Sequence, residues 1–543
     1  MTTQKGSQAF YGCSGCDRRY NRRMTRRLLL LMLLAMAAGA TCRAAGKAEH
    51  VIVIVWDGLR PDSINLQDTP TLYNLVKEGV FFKHHHPVYL SSTEVNGVAM
   101  ATGAYPARNG IMGNNEYRPA IDPLKATETQ SHDAVRKGDA LTGGHYLGLP
   151  TVVEILQKAG DRTAVAGTKP VALLWDRIEQ GRVCTNCIDY FAGNTIPAAA
   201  EGHNKEEVYT PGGTPNARQD RATTLGLIGP QWDAGVPPFS MLWLSEPDLS
   251  QHMAGLGSPT ARAALRSSDD NLARVLAELN SRGERARTDI FVVSDHGFST
   301  VTSPVDVADA LRKAGFNAAR KFKEPPKKGD IAVVGDGGSV LLSVIGRDEN
   351  LIRRVVLFLE KQDFTGVLFT RSPVHGEFKG TFTLDKARIN SPDAPDIVIS
   401  FRWSDEKNAA GIPGMVYNDG SGRITGQGTH ASLSAFDMHN TLVAAGPDFQ
   451  YGATDELPTG NTDLAPTILA ILGVPQPTPM DGRVLSEAFV GAPPVTGAPE
   501  VQIITSDMKN AEYTWHQYLR ISKYAGAVYF DEGNGSYKLS QPQ

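Results

Sequence analysis

Two aspartates follow apolar, β-branched stretches of the kind that form buried strands. Asp57 follows residues 51–56, and Asp295 follows the similar stretch 290–294. Such runs suit strands covered on both faces, as in a parallel sheet. Because the carboxyl ends of those strands line the crevice where open α/β sheets bind ligands, we expect these side chains to meet there. A buried carboxylate without a partner is costly, so Asp57 requires a cation or hydrogen-bond donors nearby.

Further carboxylate and imidazole groups follow other extended segments. Asp248 and His252 are four residues apart and share a face if the segment is helical. His296 directly follows Asp295, and His430 follows a glycine-rich stretch. Carboxylate oxygens mixed with imidazole nitrogens suit zinc. Each pair alone is weak evidence, whereas the ordered set of three carboxylates, three histidines and one hydroxyl is specific.

The hydroxyl is that of Thr93, at the entry to a segment of small residues that is predicted to be helical. A hydroxyl at the start of a helix either caps the helix or acts as a nucleophile. Capping is the more frequent role for an isolated residue of this kind, so Thr93 taken alone leaves both roles open.

The first 45 residues are predicted to be a secretory signal peptide. An arginine-rich start precedes an apolar run of 13 residues, 28–40, which is short for a membrane span. Small residues near 38–40 and 44–45 offer cleavage sites, and residues 25–28 resemble a twin-arginine signal. We therefore expect a periplasmic or secreted protein with no stable membrane span after cleavage. An uncleaved anchor is the alternative.

The charge of the chain disfavours one class of partner. The whole chain has a formal charge of −4, and its first 45 residues contain eight Lys and Arg but one Asp. The remainder therefore carries −11. Such an acidic chain is not expected to bind a nucleic-acid scaffold, which requires a basic face.

Two cysteines remain outside the leader, Cys184 and Cys187. In an exported protein this pair is predicted to form a local disulfide, with a redox site as the less favoured alternative. A four-cysteine zinc site is excluded by their number.

The order of segments predicts an α/β sandwich with a mostly parallel central sheet. We assign the core to residues 46–300 and 425–490. Residues 301–424 are rich in Lys, Gly and Pro and are predicted to form an inserted α+β subdomain that covers the site. Residues 491–543 are predicted to be a C-terminal extension with strand segments near 518–521 and 527–530. The three consecutive histidines at 84–86 suggest a metal site, but neighbours on an extended chain point to opposite sides, so they are interpreted as part of a loop.

Taken in order, these motifs resemble the alkaline phosphatase superfamily, and most closely its nucleotide pyrophosphatase/phosphodiesterase branch. The resemblance covers residues 48–490 and is weakest over 300–424. The motifs that carry it are Val55-Trp56-Asp57-Gly58, Thr93 with Thr102-Gly103, Ala104-Tyr105-Pro106 with Gly110-Ile111, Glu246-Pro247-Asp248 with His252, Ser294-Asp295-His296-Gly297, Gly428-Thr429-His430, Asp463-Leu464-Ala465-Pro466-Thr467 and Met480-Asp481-Gly482-Arg483.

The resemblance implies a three-layer, alkaline phosphatase-like sandwich and a site for two zinc ions. The ligand sets would be Asp248, His252 and His430 for one ion, and Asp57, Asp295 and His296 for the other. Thr93 would face both ions as ligand and nucleophile, and Asn114 would hydrogen-bond a phosphoryl oxygen. The expected activity is hydrolysis of a small phosphate ester, preferably a diester, through a phospho-Thr93 intermediate.

Two positions depart from the family pattern. Nucleotide-cleaving members usually have an aromatic residue directly after the nucleophile, where this chain has Glu94, which offers no stacking face. Lys169 resembles a lysine that monoesterase and phosphonate-cleaving relatives direct at the phosphoryl group, but the arginine expected two residues later is Val171. A surface lysine is the other interpretation. A phosphomonoesterase or phosphonate hydrolase is thus one alternative, and a non-catalytic, metal-stabilised binding protein is another.

Overall fold

A computed structural model describes residues 46–177, 187–191, 194–196, 216–374 and 376–540. The predicted signal peptide, 1–45, lies outside the described residues. So does the predicted disulfide, because Cys184 is not described and only the backbone of Cys187 is placed. None of the described helices combines the length and the apolar character needed to cross a bilayer.

The strands of the described residues are, in chain order, β1 (His50–Trp56), β2 (Val80–His86), β3 (Asn115–Glu116), β4 (Thr127–Glu128), β5 (Thr163–Gly167), β6 (Cys187–Phe191), β7 (Asn194–Ile196), β8 (Phe239–Leu244), β9 (Thr288–Val293), β10 (Ser299–Val301), β11 (Ala318–Ala319), β12 (Ile331–Asp336), β13 (Ser339–Val344), β14 (Thr365–Thr370), β15 (Phe382–Thr383), β16 (Ile397–Phe401), β17 (Trp403–Lys407), β18 (Pro413–Val416), β19 (Gly428–Thr429), β20 (Leu442–Ala445), β21 (Ala453–Gly460), β22 (Glu500–Lys509), β23 (Tyr513–Tyr524) and β24 (Ala527–Leu539).

The α-helices of the described residues are α1 (Pro70–Glu78), α2 (Thr93–Thr102), α3 (Pro106–Asn109), α4 (His132–Thr142), α5 (Val152–Lys158), α6 (Ala217–Ile228), α7 (Asp248–Ala254), α8 (Pro259–Ser281), α9 (Val307–Lys313), α10 (Glu349–Leu359) and α11 (Leu464–Ile471).

A nine-stranded sheet forms the centre of the molecule, in the order β21-β2-β20-β9-β1-β8-β5-β6-β7. Strand β1 pairs in parallel with both β8 and β9, and β5 pairs in parallel with β8 and β6. Strand β20 runs antiparallel to β2 and β9, and β7 runs antiparallel to β6. The prediction of a mostly parallel central sheet is confirmed.

Strand β1 shows why both faces of this sheet are covered. Successive side chains of a strand point to opposite faces. The two alternating sets lie in two separate core clusters, Val51, Val53 and Val55 in one and Ile52, Ile54 and Trp56 in the other. The first cluster includes side chains of α2, α5 and α11, and the second includes those of α1, α6 and α8. The predicted three-layer α/β sandwich is therefore confirmed.

The region between β10 and β19 adds a second sheet of six strands, β11-β12-β13-β16-β14-β15. Helices α9 and α10 pack on this sheet around a third core cluster. Strands β10 and β19 pair with each other and join β17 and β18 in a four-stranded sheet. The extra sheets agree with an inserted subdomain, while its limits at 301 and 424 stay a prediction.

The C-terminal residues form an antiparallel sheet of β22, β23 and β24. The sequence indicated strand segments only near 518–521 and 527–530, and the structure lengthens both and adds β22. Trp515 from this sheet is buried in the third core cluster, whereas Leu519 and Phe530 are buried in the first. The extension is thus packed against both the core and the inserted region.

The interpretation of residues 84–86 as a loop is wrong, because they end strand β2. His85 is buried between the Thr459 hydroxyl and the Asn461 side-chain oxygen, each 2.9 Å from a ring nitrogen. Burial lowers the pKa of His85 to about 3. A neutral imidazole with both nitrogens engaged is a structural residue.

Candidate active site

Three neighbouring strands bring three carboxylates to one edge of the central sheet. Asp57 directly follows β1, and Asp295 follows β9 after one intervening residue. Asp248 begins α7, which follows β8 on the other side of β1. Because β8, β1 and β9 are parallel neighbours, their carboxyl ends lie together. All three side chains are buried.

Each of these carboxylates has one buried oxygen without a hydrogen-bond partner among the described residues. These atoms are Asp57 Oδ1, Asp248 Oδ1 and Asp295 Oδ2. The second oxygen is held in each case, as where Trp243 Nε1 donates to Asp57 Oδ2 at 2.8 Å and Gly58 N donates to Asp295 Oδ1 at 3.0 Å. Because a buried, unsatisfied carboxylate oxygen is costly, these atoms indicate a cation site.

The three histidines are oriented in one common way. In each ring Nδ1 lies within hydrogen-bond distance of a backbone carbonyl oxygen: His252 with Gly428 at 2.8 Å, His296 with Gly297 at 2.9 Å and His430 with Ser91 at 3.1 Å. A carbonyl accepts, so Nδ1 is the protonated nitrogen and Nε2 keeps its lone pair. Metal-binding histidines characteristically donate their other ring N–H in this way.

The ligand atoms form two overlapping groups. Within each group they lie within 4.8 Å of one another, and the groups are Asp248, His252 and His430, and Asp57, Asp248 and His296. The first is the set implied by the resemblance. In the second, Asp248 stands where Asp295 was expected, although Asp295 Oδ2 is only 3.2 Å from His296 Nε2. Carboxylate oxygens and imidazole Nε2 atoms in this arrangement fit divalent metal ions of the zinc type.

Burial and like charges govern the protonation of the cluster in the absence of an ion. Burial raises the pKa of Asp57 well above its usual range, and the Asp295 charge adds to this. Burial also raises the pKa of Asp295 to about 7 and lowers that of His430 well below its usual range. For Asp248 burial is outweighed by His252 and Lys169, which hold its pKa well below the usual range. Added positive charge would therefore favour the ionised form of the cluster.

Thr93 is the first residue of α2, and its side chain is 2% exposed. Its Oγ1 lies 3.2 Å from His296 Nε2, so the hydroxyl faces the ligand cluster. The residue before it, Ser92, occupies the N-cap position without a side-chain capping bond. Ser92 rather than Thr93 therefore occupies the capping position, and the nucleophile role of Thr93 stays a prediction.

Helix α2 approaches the central sheet closely through Gly97. A Cβ on Gly97 would lie 2.6 Å from Val171 Cγ2, closer than real Cβ atoms come, and at a tight 3.2 Å from the Trp243 ring. The bare glycine therefore lets the helix lie against strand β8 with its N-terminus beside the ligand cluster.

Asn114 lies beside the N-terminus of α2, and its predicted role in substrate binding stays a prediction. Its Oδ1 accepts a hydrogen bond from the Glu94 backbone N at 3.1 Å. The Asn114 backbone N donates to both carboxylate oxygens of Asp336, at 3.2 Å each. Asp336 was missed in the sequence analysis, because it lies 222 positions away in a region that matches the family least. Only its position at the end of a β-branched strand offered a signal.

Lys169 lies in the site rather than on the open surface. Its Nζ is 2.6 Å from Asp248 Oδ2 and 2.9 Å from Asp57 Oδ2. Burial opposes its charge, but the two carboxylates outweigh burial and raise the pKa of Lys169 above its usual range. The ammonium therefore supplies one positive charge to the carboxylate cluster.

Glu94 is buried directly after Thr93, with Oε2 unpartnered among the described residues. Burial raises the pKa of Glu94 well above its usual range, and the Lys169 charge opposes the shift. Glu94, which stands where nucleotide-cleaving enzymes have an aromatic residue, therefore lies inside the site.

The family model described as type I phosphodiesterase / nucleotide pyrophosphatase matches residues 51–404. The match covers more than half of the chain and includes the strand-end carboxylates, Thr93 and Asn114. The chain belongs to the type I phosphodiesterase / nucleotide pyrophosphatase family.

Individual relatives are distant. The mouse bis(5′-adenosyl)-triphosphatase is 23% identical over 277 residues, which are 50% of this chain and 52% of the relative. The venom phosphodiesterase of Naja atra is 23% identical over 427 residues, or 77% of this chain and 43% of that protein. The chain thus spans about half the length of the curated relatives it matches.

A solved structure of murine ectonucleotide pyrophosphatase / phosphodiesterase 5, an inactive variant in complex with AMP, has the same fold. It superposes with a TM-score of 0.57 over 81% of this chain and 100% of that one, at 17% identity. At that identity the likeness extends to the fold alone.

Proposed function

We propose that the protein is an exported two-zinc hydrolase of small phosphate esters, chiefly phosphodiesters, that acts through a phospho-Thr93 intermediate. One observation carries the proposal: three unpartnered carboxylate oxygens and three available imidazole Nε2 atoms form a buried cluster, and the Thr93 hydroxyl contacts it at 3.2 Å from His296 Nε2. Membership of a phosphodiesterase family supports the reaction class. The AMP bound by a protein of the same fold supports a small phosphate ester as the substrate.

In this proposal the metal ligands are Asp57, Thr93, Asp248, His252, Asp295, His296 and His430. When bound, zinc would supply positive charge that lowers the pKa of a hydroxyl and stabilises charge on a transferring phosphoryl group. Three aspartates and an ionised Thr93 would balance two zinc ions, which leaves a site able to accept an anionic ester.

The protein's own residues divide the remaining tasks. Thr93 gives its hydroxyl proton to water, and Oγ1 forms a bond to phosphorus as the bond from phosphorus to the leaving alkoxide oxygen breaks. The alkoxide then takes up that proton through water and leaves as the alcohol. Water then attacks phospho-Thr93, releases the phosphate product and returns the hydroxyl. Because Glu94 N engages Asn114 Oδ1, the Nδ2 of Asn114 is the end available to donate to a phosphoryl oxygen.

Lys169 favours a second candidate function on the same scaffold, a phosphomonoesterase or phosphonate hydrolase. A monoester dianion gains more from an extra ammonium than a diester monoanion does. Lys169 Nζ already lies among the ligands, so displacement from Asp57 and Asp248 would free it for a phosphoryl oxygen. Glu94 argues against a leaving group that needs an aromatic stacking partner.

A substrate comparison tests the proposal. Zinc-loaded protein would be assayed on bis-p-nitrophenyl phosphate and p-nitrophenyl phosphate, with a chelated control. A diester preference in kcat/KM of at least about tenfold, about 1.4 kcal/mol of transition-state discrimination, supports the phosphodiesterase. A monoester preference supports the second candidate. Bound zinc without turnover of either ester, or of a p-nitrophenyl phosphonate, supports a non-catalytic binding protein instead.

Export is proposed from residues 1–45, and N-terminal sequencing of the protein recovered from its native host tests it. A mature N-terminus between residues 39 and 46 in a periplasmic or culture fraction agrees with a cleaved leader. An intact N-terminus in a membrane fraction contradicts it.

A further inference from the structure

The tip of the β12–β13 hairpin, residues 336–339, reaches from the six-stranded sheet into the candidate active site. Asp336 and Ser339 are paired across the antiparallel hairpin, with Gly337 and Gly338 between them. These residues lie outside the central sheet and outside the ligand set. Their contacts nevertheless extend to two separate parts of the site.

On one side the hairpin tip holds the segment that carries Asn114. The Asp336 side chain is 2% exposed, and both of its oxygens accept from the Asn114 backbone N at 3.2 Å. Gly113 permits this approach, because a Cβ there would lie 3.1 Å from Asp336 Oδ2 and 2.8 Å from Asn115 O. Asp336 therefore fixes the backbone from which the Asn114 amide reaches the N-terminus of α2.

On the other side the hairpin tip holds the segment that carries His430. Gly338 N donates to His430 O at 2.5 Å, and Ser339 Oγ donates to Ala431 O at 2.6 Å. Ala431 has a φ of +76°, in the left-handed region that a residue with a Cβ rarely adopts. A Cβ on Gly337 would clash with His430 O, so the close approach requires glycine. The bonds to these two carbonyls help to hold His430 in the orientation that directs Nε2 to the cluster.

We propose that the hairpin tip is a positioning device for the reaction, with Asp336 as the residue that positions Asn114. The inference rests on the proposed hydrolase function. It assigns a positioning role to a residue that is neither a metal ligand nor the nucleophile. Donors that meet a phosphoryl group act through preorganisation, and a small misplacement weakens transition-state binding more than ground-state binding. Loss of the Asp336 carboxylate loosens the Asn114 segment, which Thr129 N still holds through Asn114 O at 3.0 Å, without removing any group that touches substrate.

The alternative role for Asp336 is stability alone, and Asp396 provides a matched control. Asp396 is another aspartate of the six-stranded sheet region, 3% exposed, and its Oδ2 accepts from Val344 N at 2.6 Å. Among the described residues its side chain pairs with Val344 N and, at 3.8 Å, with the Arg347 side chain, neither of which belongs to the site. Asp336→Asn and Asp396→Asn each replace one buried carboxylate by its amide isostere in the same region.

The test compares these variants with the parent protein for kcat and KM on bis-p-nitrophenyl phosphate, for orthovanadate binding by calorimetry, and for zinc content and thermal midpoint. We expect Asp336→Asn to lower kcat/KM by about tenfold or more, mainly through kcat, and to weaken orthovanadate binding at unchanged zinc content. Asp396→Asn should change kcat/KM less than about twofold even if its thermal midpoint falls.

A double variant separates positioning from general damage. Adding Asp336→Asn to Asn114→Ala should cost less than about threefold beyond Asn114→Ala alone, because the side-chain amide that Asp336 positions is already absent in Asn114→Ala. Equal effects of Asp336→Asn and Asp396→Asn, or multiplication of the two losses in the double variant, would overturn the inference. Zinc-loaded parent protein that neither turns over an ester nor binds orthovanadate would instead overturn the proposed function, and the inference with it.

Discussion

Buried carboxylates occur in two contrasting settings in this molecule. At the candidate active site, Asp57 and Asp295 each have an oxygen with no hydrogen-bond partner among the described residues. At the contact between the core and the C-terminal sheet, Asp463 is equally buried, but its carboxylate accepts from Gly460 N, Arg483 N and Tyr529 OH, each at 2.8 Å. We refer to the second setting, formed by Asp463, Arg483 and Tyr529, as the C-terminal seam.

Burial alone does not separate a functional carboxylate from a structural one. Burial raises the pKa of Asp463 to about 6 and that of Asp295 to about 7, so the two directions agree. The difference lies in the donors supplied by the protein. The C-terminal seam provides donors for its charge, whereas the active-site cluster leaves oxygens that only an added cation would satisfy.

The largest expected effect comes from the nucleophile itself. Thr93→Ala removes the only hydroxyl in contact with His296 Nε2 among the described residues, and should lower kcat/KM on bis-p-nitrophenyl phosphate by about 10⁴-fold or more. Zinc content should fall little, because each proposed ion keeps three other protein ligands, and the thermal midpoint should not change. Thr93→Ser keeps a hydroxyl and serves as the matched control, with a smaller loss expected. Full activity of the alanine variant would remove Thr93 from the mechanism.

Asp57→Asn should separate metal binding from folding. The variant is expected to lose bound zinc and to lower kcat/KM by about 10³-fold, because an amide is a poor ligand for the ion. The zinc-free variant should be no less stable than the zinc-free parent at pH 8. The ionised Asp57 is disfavoured by burial, so its charge does not stabilise the zinc-free fold. Metal analysis and thermal unfolding with and without chelator measure both outcomes; a large drop in zinc-free stability would contradict the comparison.

Asp463→Asn, in the C-terminal seam, should lower stability and leave activity largely unchanged, the opposite of Asp57→Asn. An amide accepts with one oxygen only and turns its NH₂ toward groups that are themselves donors. We expect a loss of about 1–3 kcal/mol in the free energy of unfolding. The zinc-loaded, folded variant should keep kcat/KM within about threefold of the parent. Urea unfolding and steady-state kinetics on the same preparation test this, and a stability within 0.5 kcal/mol of the parent (about the size of a surface substitution) would be inconsistent with a structural charge.

Glu360 has one hydrogen-bonded carboxylate oxygen and one without a partner among the described residues. We expect its substitution to have a smaller, pH-dependent effect on stability. Its Oε2 accepts from Tyr513 OH at 2.5 Å, while Oε1 has no partner among the described residues. Burial raises the pKa of Glu360 to about 7. A folded-state pKa above the unfolded value means that this group favours folding at low pH, and the contribution falls as pH rises from about 4.5 to about 7.

Glu360→Gln should therefore flatten part of the decline in thermal midpoint between pH 5 and pH 8. Parallel melting curves of the chelated parent and variant proteins measure the difference. An unchanged slope would show that Glu360 does not titrate in this range.

Much of the fold could be predicted because the central strands can be recognised from local stretches of the sequence. Continuous apolar runs such as 51–56 and 290–294 mark buried strands, and the charged residues that end them mark the site. Strand β22 was missed because its exposed side chains alternate with half-buried ones and leave no apolar run. The interpretation of 84–86 as a loop failed because tertiary contacts to Thr459 and Asn461 satisfy His85 within a strand.

The site residues that could not be assigned from the sequence are placed by contacts between distant parts of the chain. Lys169 could be interpreted as a surface residue or a substrate ligand until its distances to Asp57 and Asp248 were known. Asp336 has no motif of its own, and its partner Asn114 is brought to it only by the six-stranded sheet. The positions of charged residues after predicted strands indicate ligands at neighbouring strand ends. They do not indicate a residue that reaches the site from another sheet.

The most direct test of the central claim is to trap the intermediate. Zinc-loaded protein turning over bis-p-nitrophenyl phosphate would be quenched in acid, digested and analysed by mass spectrometry, with Thr93→Ala and a chelated sample as controls. We expect a phosphoester on Thr93 whose formation requires zinc and substrate. We also expect an initial burst of p-nitrophenol no larger than one equivalent of enzyme. Turnover without a burst and without modified Thr93 would contradict the proposed mechanism.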